Sequence, residues 1–262
     1  MTNSVKDLSI IVTGAGRGIG EAIARGLAGA GAKLTIADID EGNAKSVAKS
    51  ICDKGGHAIG VRVDVIERAS VKKMIAAAVE AYGRLDAIFN NAGIAQVRKF
   101  LDITEADWKR VMDVNGLGVL IGMQEAIKQF ITQGGGGKII NTASIAGKQG
   151  YEPLAHYSAS KFGVIGLTQA AARAFGAQKI NINAICPGVV ATDMWKLIDK
   201  GFKDEGLTKR ENEAFETLSA GILLGRPSAS DDLVGVSEFL ASSGSDYVTG
   251  QSFVVDGGMV FI

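Results

Sequence analysis

Short apolar runs, mostly β-branched, recur along the chain with longer helical patterns between them. The runs are Ile10–Thr13, Leu34–Ala37, Ala58–Val63, Ala87–Asn90, Lys138–Thr142, Ile180–Ile185 and Ser252–Val255. The patterns between them are Glu21–Ala30, Glu41–Lys54, Arg68–Tyr82, Glu105–Phe130, Tyr157–Gln178 and Asp231–Leu240. Strict alternation of strand and helix predicts a parallel sheet with helices on both faces, because parallel neighbours need a crossover between them. The runs lack the in–out polar alternation of a half-exposed sheet, as expected of strands covered on both faces. Residues 193–224 break the rhythm. They are long, charge-rich and placed between the sixth and seventh strands. Two readings stay open for them: a solvated helical insertion, or a lid over a site at the strand ends.

Composition narrows this picture. A chain of 262 residues buries about 70% of its unfolded surface on folding, enough for a core without disulfide or metal. No shift in composition and no internal repeat marks a second domain, so residues 1–262 read as one. Lys plus Arg number 28 and Asp plus Glu 28, with no long run of one sign. That balance argues against a nucleic-acid or membrane-surface partner. The longest stretch free of charged residues, Ile180–Thr192, has 13 residues, against about 20 for a helical membrane span. Lys6 and Asp7 precede only a short apolar run, unlike a secretory leader, so the expected location is the cytoplasm. Cys52 and Cys186 are too far apart in sequence to read as a metal or redox motif. The anomaly is glycine, 35 against 3 prolines, and many glycines sit at the ends of apolar runs, where a backbone must turn sharply or be closely approached. Gly134–Gly137 reads as a flexible surface turn.

The first such end is Thr13-Gly14-Ala15-Gly16-Arg17-Gly18-Ile19-Gly20, between the first strand and the first helix. Glycines there permit a tight turn, and the helix start offers unpaired N–H groups and a positive dipole end to a pyrophosphate. Asp38 ends the second strand, where a carboxylate can accept from both hydroxyls of an adenosine ribose and repel a 2′-phosphate. Asp40, not Asp38, is the better cap for the next helix. Arg17 could hold a 2′-phosphate, but positions 39–42 offer it no second cation, so NAD is favoured over NADP. Asp64-Val65 ends the third strand and Asn91-Ala92-Gly93 follows the fourth, all at the strand ends where open α/β sheets bind ligands.

Tyr157 and Lys161 stand one helical turn apart and share a face. A nearby ammonium stabilises a phenolate and lowers its pKa. Ser144 follows the fifth strand and should emerge at the same rim. Asn115-Gly116 sits mid-helix, a poor place for helix stability, which suggests a polar role for Asn115. Taken in order and spacing, Thr13–Gly20, Asp64, Asn90–Gly93, Asn115, Ser144, Tyr157–Lys161 and Pro187-Gly188 with Thr192 resemble the classical short-chain dehydrogenase/reductase family over nearly the whole chain.

The resemblance implies a single-domain, Rossmann-type, doubly wound parallel sheet of seven strands, a nicotinamide dinucleotide as cofactor and a homotetramer. It implies that Tyr157 is the acid/base and that Ser144 holds the substrate oxygen. Lys161 would bind the nicotinamide ribose and depress the Tyr157 pKa, and Asn115 would hold a water in a proton relay. Gly14, Arg17, Gly18, Ile19, Gly20, Asp38, Asp64, Val65, Asn91, Ala92, Gly93, Tyr157, Lys161, Pro187, Gly188, Val190 and Thr192 would contact the cofactor, and no metal is required. Met194-Trp195 and the ending Asp256–Phe261 look like bacterial acetoin reductases (butanediol dehydrogenases), with sorbitol-type polyol dehydrogenases nearly as similar. That family tends to be polar where Ile145 and Tyr151 stand, which leaves a larger or more apolar substrate open. Ser144, Ile145, Tyr151, Gly188, Trp195 and Gln96 are the expected pocket residues. The implied reaction interconverts a secondary alcohol and a ketone on a small diol, hydroxyketone or polyol. A 3-oxoacyl-thioester reductase and a non-catalytic dinucleotide-binding protein are the alternatives. His156 is expected to be structural or at the rim.

Overall fold

The computed structural model describes residues 4–261. Seven parallel strands, β1 (Ser9–Thr13), β2 (Lys33–Asp38), β3 (His57–Arg62), β4 (Ala87–Asn90), β5 (Gly137–Thr142), β6 (Ile180–Pro187) and β7 (Ser252–Val255), form one sheet in the order β3-β2-β1-β4-β5-β6-β7. The helices are α1 (Gly18–Gly29), α2 (Glu41–Asp53), α3 (Arg68–Tyr82), α4 (Glu105–Met112), α5 (Gly118–Gln133), α6 (Ala155–Phe175), α7 (Asp193–Asp204), α8 (Glu213–Ser219) and α9 (Val234–Ala241).

Side-chain alternation splits the apolar strands between two cores. Ile10 and Val12 of β1, Phe89 and Ile140 pack with Ile23 and Leu27 of α1, Val47 of α2 and Leu240 of α9. Ile11, Ile88 and Ile139 face the other way, onto Met74 of α3, Met123 and Phe130 of α5 and Val164 of α6. A run that reads as uniformly apolar is therefore two half-strands, each serving its own helix layer.

Local signals act where expected. Asp40 caps α2 by accepting from the Asn43 N–H at 3.0 Å. Thr104 and Asp107 form a reciprocal capping box at the start of α4. The expected helix 105–130 is instead two helices joined by a π-helical turn, Asp113–Leu117, with the fully buried Asn115 inside it. Residues 193–224 contain α7 and α8. The glycine run before β5 is tighter than a loose turn: Gly134–Gly136 take left-handed φ values, and a Cβ on Gly137 would come within 2.5 Å of the Phe130 ring.

The sheet order reverses between β1 and β4. Strands leave there in opposite directions, opening a crevice at their carboxyl ends.

Candidate active site

The crevice floor is built by Thr13. Its hydroxyl donates to the Phe89 carbonyl (3.2 Å) and accepts from the N–H groups of Asn91 and Ala92 (3.0 and 3.1 Å). Asn91 answers with its amide, which donates to the Thr13 carbonyl at 3.0 Å. The loop after β4 is thus stapled to the glycine loop by Thr13, the residue that opens the glycine motif. Gly14 has φ +63°, and a Cβ on it would lie 2.9 Å from the Ala92 Cα. A Cβ on Gly16 would lie 2.8 Å from an Asp38 carboxylate oxygen. Gly18 again needs positive φ. The N-cap of α1, Arg17, is extended and caps with no side chain, so the first-turn N–H groups of α1 have no side-chain acceptor at the cap.

Asp38 bridges this loop. One carboxylate oxygen accepts from the Gly16 N–H at 2.9 Å and the other from the Asp40 N–H at 3.0 Å. A carboxylate has about four lone-pair sites, so both oxygens can still accept from hydroxyls. Asp64 folds its own loop, accepting from the Ile66 N–H at 3.2 Å. Val65 fills the space above Gly118. On the far side, the Gly188 N–H donates to Val255 at 3.1 Å and Val190 bridges to Ser228. These residues, with Pro187 and Thr192, line the carboxyl edge of β6. The loop, Asp38, the β4 end and the β6 end therefore meet along one crevice, and their glycines and free N–H groups fit a dinucleotide.

Ser144, Tyr157 and Lys161 converge at the end of β5. Ser144 is extended, and its oxygen accepts from the Ala146 N–H at 3.1 Å, which leaves its own O–H free to donate. Lys161 is buried, and its ammonium donates to the Thr142 carbonyl at 2.7 Å. Burial disfavours its charge and brings its pKa down to about 8. The Tyr157 phenol is pushed up by burial, with the Ser144 hydroxyl opposing that rise. Lys161 is not among the groups that offset this rise in the ligand-free chain. The Lys161 Nζ stands 5.6 Å from the Tyr157 ring centroid, its charge is engaged by Thr142, and desolvation of the phenolate dominates. The buried Cys186 thiol nearby is raised too and stays neutral.

Asn115 gathers the elements behind this set. Its Nδ2 donates to the Ile94 carbonyl (2.9 Å) and the Ser160 hydroxyl (3.0 Å), and its Oδ1 accepts from the Ile94 N–H (2.9 Å). The π-helical turn turns this amide toward the β4 loop and α6 at once, which suits π-bulges at functional positions.

The outer wall is apolar. Val97, Leu154 and Ile198 form a small core against Tyr151, Tyr157 and Trp195. Trp195 of α7 meets Phe215 of α8 edge-on at 5.8 Å. Gln96 stands between Ala95 and Val97, which pack on this wall; its side-chain N–H donates to Asp107 of α4 at 2.5 Å, and its Oε1 is buried without a partner among the described residues. His156 lies in the interior rather than at the rim. It is fully buried, and burial holds it neutral.

A family model described as "short chain dehydrogenase" matches residues 9–202. The chain belongs to the short-chain dehydrogenases/reductases. It is 43% identical over 254 residues to an L-2,3-butanediol dehydrogenase of Corynebacterium glutamicum, covering 96% of this chain and 98% of that one. It is 36% identical over 249 residues to a sorbitol dehydrogenase of Cereibacter sphaeroides, with 95% of each chain covered. A solved short-chain dehydrogenase/reductase from Mycobacterium marinum superposes with a TM-score of 0.90 at 31% identity, covering 99% of this chain and 98% of that one. As a short-chain dehydrogenase/reductase this protein is an oxidoreductase that binds a nicotinamide dinucleotide. Among the described residues no helix is long and apolar enough to cross a membrane.

Proposed function

We propose that this protein is a cytoplasmic, NAD-dependent enzyme that interconverts a secondary alcohol and a ketone on a small diol, hydroxyketone or polyol. The observation that carries this is the meeting of Ser144, Tyr157 and Lys161 at the end of β5, beside a glycine loop that fits a dinucleotide. When bound, the nicotinamide supplies the acceptor or donor of a hydride.

Every other task falls to the chain. Ser144 donates its free O–H to the substrate oxygen and orients it. Tyr157, as phenolate, takes the hydroxyl proton of the alcohol while the carbon–hydrogen bond breaks with its electron pair, leaving a ketone. In the reverse direction the phenol returns that proton. Lys161 favours the phenolate once its ammonium is shared between the ribose, the phenolate and Thr142. Asn115 holds the water that carries the proton outward. Asp38 accepts from the adenosine ribose hydroxyls and disfavours a 2′-phosphate, the basis for NAD over NADP. The α7–α8 segment closes over the substrate, excluding water from the transfer.

The 2,3-butanediol activity named for the Corynebacterium relative supports a vicinal diol or hydroxyketone. The test follows NADH formation at the reduced-nicotinamide band with butanediols and NAD. Tyr157→Phe should fold and bind NADH with unchanged affinity and lose about 10²–10⁴-fold in turnover. A Tyr157→Phe protein turning over near the wild-type rate would remove the phenol from the mechanism.

A further inference from the structure

We propose that Thr142 is a positioning residue for the reaction: its hydroxyl, bound to the Asn91 amide, ties the carbonyl that holds Lys161 to the glycine loop. This deepens the dehydrogenase reading above and rests on it for its bearing on catalysis.

The tie begins where the sheet opens. The register of β4 against β5 ends at Asn90 and Asn141, whereas β5 stays on β6 for one more residue, Thr142 opposite Ile185. The next N–H, that of Ala143, donates to the Ile185 carbonyl of β6 at 2.8 Å. Backbone groups alternate in direction along a strand, so the Thr142 carbonyl faces the β4 side, just past the point where β4 has turned away. The Lys161 ammonium donates to that carbonyl at 2.7 Å, in place of a strand partner. A buried ammonium needs such a partner, so its position follows that of the carbonyl.

Side chains take over from the ladder at this point. The Thr142 hydroxyl donates to Asn91 Oδ1 at 3.3 Å. Asn91 Nδ2 donates to the Thr13 and Gly14 carbonyls at 3.0 and 3.4 Å. The amide is wedged into the glycine loop. A Cβ on Gly20 would stand 2.6 Å from Nδ2, so only glycine there leaves it room. One chain of hydrogen bonds thus runs from Thr13 and Gly14 through Asn91 and Thr142 to Lys161.

Thr142→Val keeps the shape of the side chain and removes its hydroxyl. Asn91 Oδ1 loses this donor, and the Thr142 carbonyl loses its anchor. With the carbonyl displaced, the Lys161 charge is less favoured and the phenolate loses part of its support, so the phenol gives up its proton at higher pH. The titratable groups that face the amine are Tyr157 on α6, with its ring centroid 5.6 Å away, and the Cys186 thiol on β6.

Two measurements test the tie. With the purified full chain, NAD and 2,3-butanediol, kcat of Thr142→Val should fall about tenfold, and the acid limb of its pH profile should move up by about one pH unit, the scale of one weakened hydrogen bond to a charge. Thr142→Ser, which keeps the hydroxyl, should restore most of both, and NADH fluorescence titration reports that each variant has folded. In the ligand-free chain, the rise of stability with pH that Lys161 contributes should begin at lower pH in Thr142→Val than in wild type, read by urea unfolding. A folded Thr142→Val whose pH profile and unfolding onset match wild type would overturn the proposal, as would a Thr142→Ser as impaired as the valine variant. If no alcohol is turned over while NADH binds, the dehydrogenase reading and the catalytic role of Thr142 fall together, and an unchanged unfolding onset would then remove the tie to Lys161 as well.

Discussion

Lys161 carries the heaviest electrostatic demand in the site. Its amine is buried against a single carbonyl, and its pKa falls from 10.5 to about 8. In the unfolded chain it keeps the ordinary value. Between about pH 8 and pH 10.5 the unfolded state therefore holds more protons, and stability from this group rises with pH. Below about pH 8 the amine is charged in both states, and the full desolvation penalty is present. Lys161→Met removes that titration. Urea unfolding without cofactor should show wild type gaining on the variant by up to about 3 kcal/mol as pH climbs through this window. A difference flat with pH would mean that the amine titrates at its ordinary value. Asn115 and Asp38 show a related economy at the same scale. Asn115 uses both ends of its amide to tie Ile94 and Ser160, and Asp38 uses both oxygens to set the glycine loop. Each is fixed by structural bonds before any ligand arrives, the condition for precise positioning.

The α7–α8 segment is tied to the body at few points. Arg98, in the loop after β4, donates to Glu205 just past α7 at 2.6 Å and stands 3.8 Å from Asp107. Within the segment, Asp199 holds the start of α8 against α7, so the two helices can move as a unit. Arg98→Ala frees one edge of it. Because the pair is solvent-screened, stability should change little. The KM for the alcohol should rise several-fold while the KM for NAD stays put, measured by steady-state kinetics. An unchanged alcohol KM would separate the segment from substrate binding. The helix interrupted at Asp113–Leu117 belongs to this scale as well. Its extra residue in the turn carries Asn115 inward, which an unbroken α-helix through Glu105–Phe130 would not do.

At the scale of the whole molecule, a groove of about 530 Å³ runs between the π-helical turn and α6. Met112, Leu117, Leu120 and Leu167 line it, and Leu117 and Phe162 are more than a third exposed. An apolar face of this kind is costly in water, and a homotetramer built from such faces is our expectation for this chain. Sedimentation should give about 109 kDa, four times the 27.2 kDa chain mass. Leu117→Glu should shift the population to smaller species. A wild-type monomer would refute the tetramer without touching the chemistry of the site.

The sequence by itself determined what depends on near neighbours. Short, uniformly apolar runs alternating with helical spacing set the order of strands and helices. The glycines of residues 14–20 marked a loop with free N–H groups, and the spacing of Tyr157 and Lys161 put them on one helical face. The seven runs from Ile10–Thr13 to Ser252–Val255 match the observed strands to within about two residues, because each run must fill both cores. Tertiary structure decided whatever depends on residues far apart in sequence. The β4–β5 pairing joins segments about 50 residues apart and so brings the Asn91 loop beside Ser144. Burial and the Thr142 carbonyl set the Lys161 charge and left the Tyr157 phenol raised. The Asp107 carboxylate of α4 fixes the Gln96 amide nitrogen. The reason is physical: a pKa or a side-chain direction is set by desolvation and by the competing partners around it, and those partners are assembled only when the sheet closes.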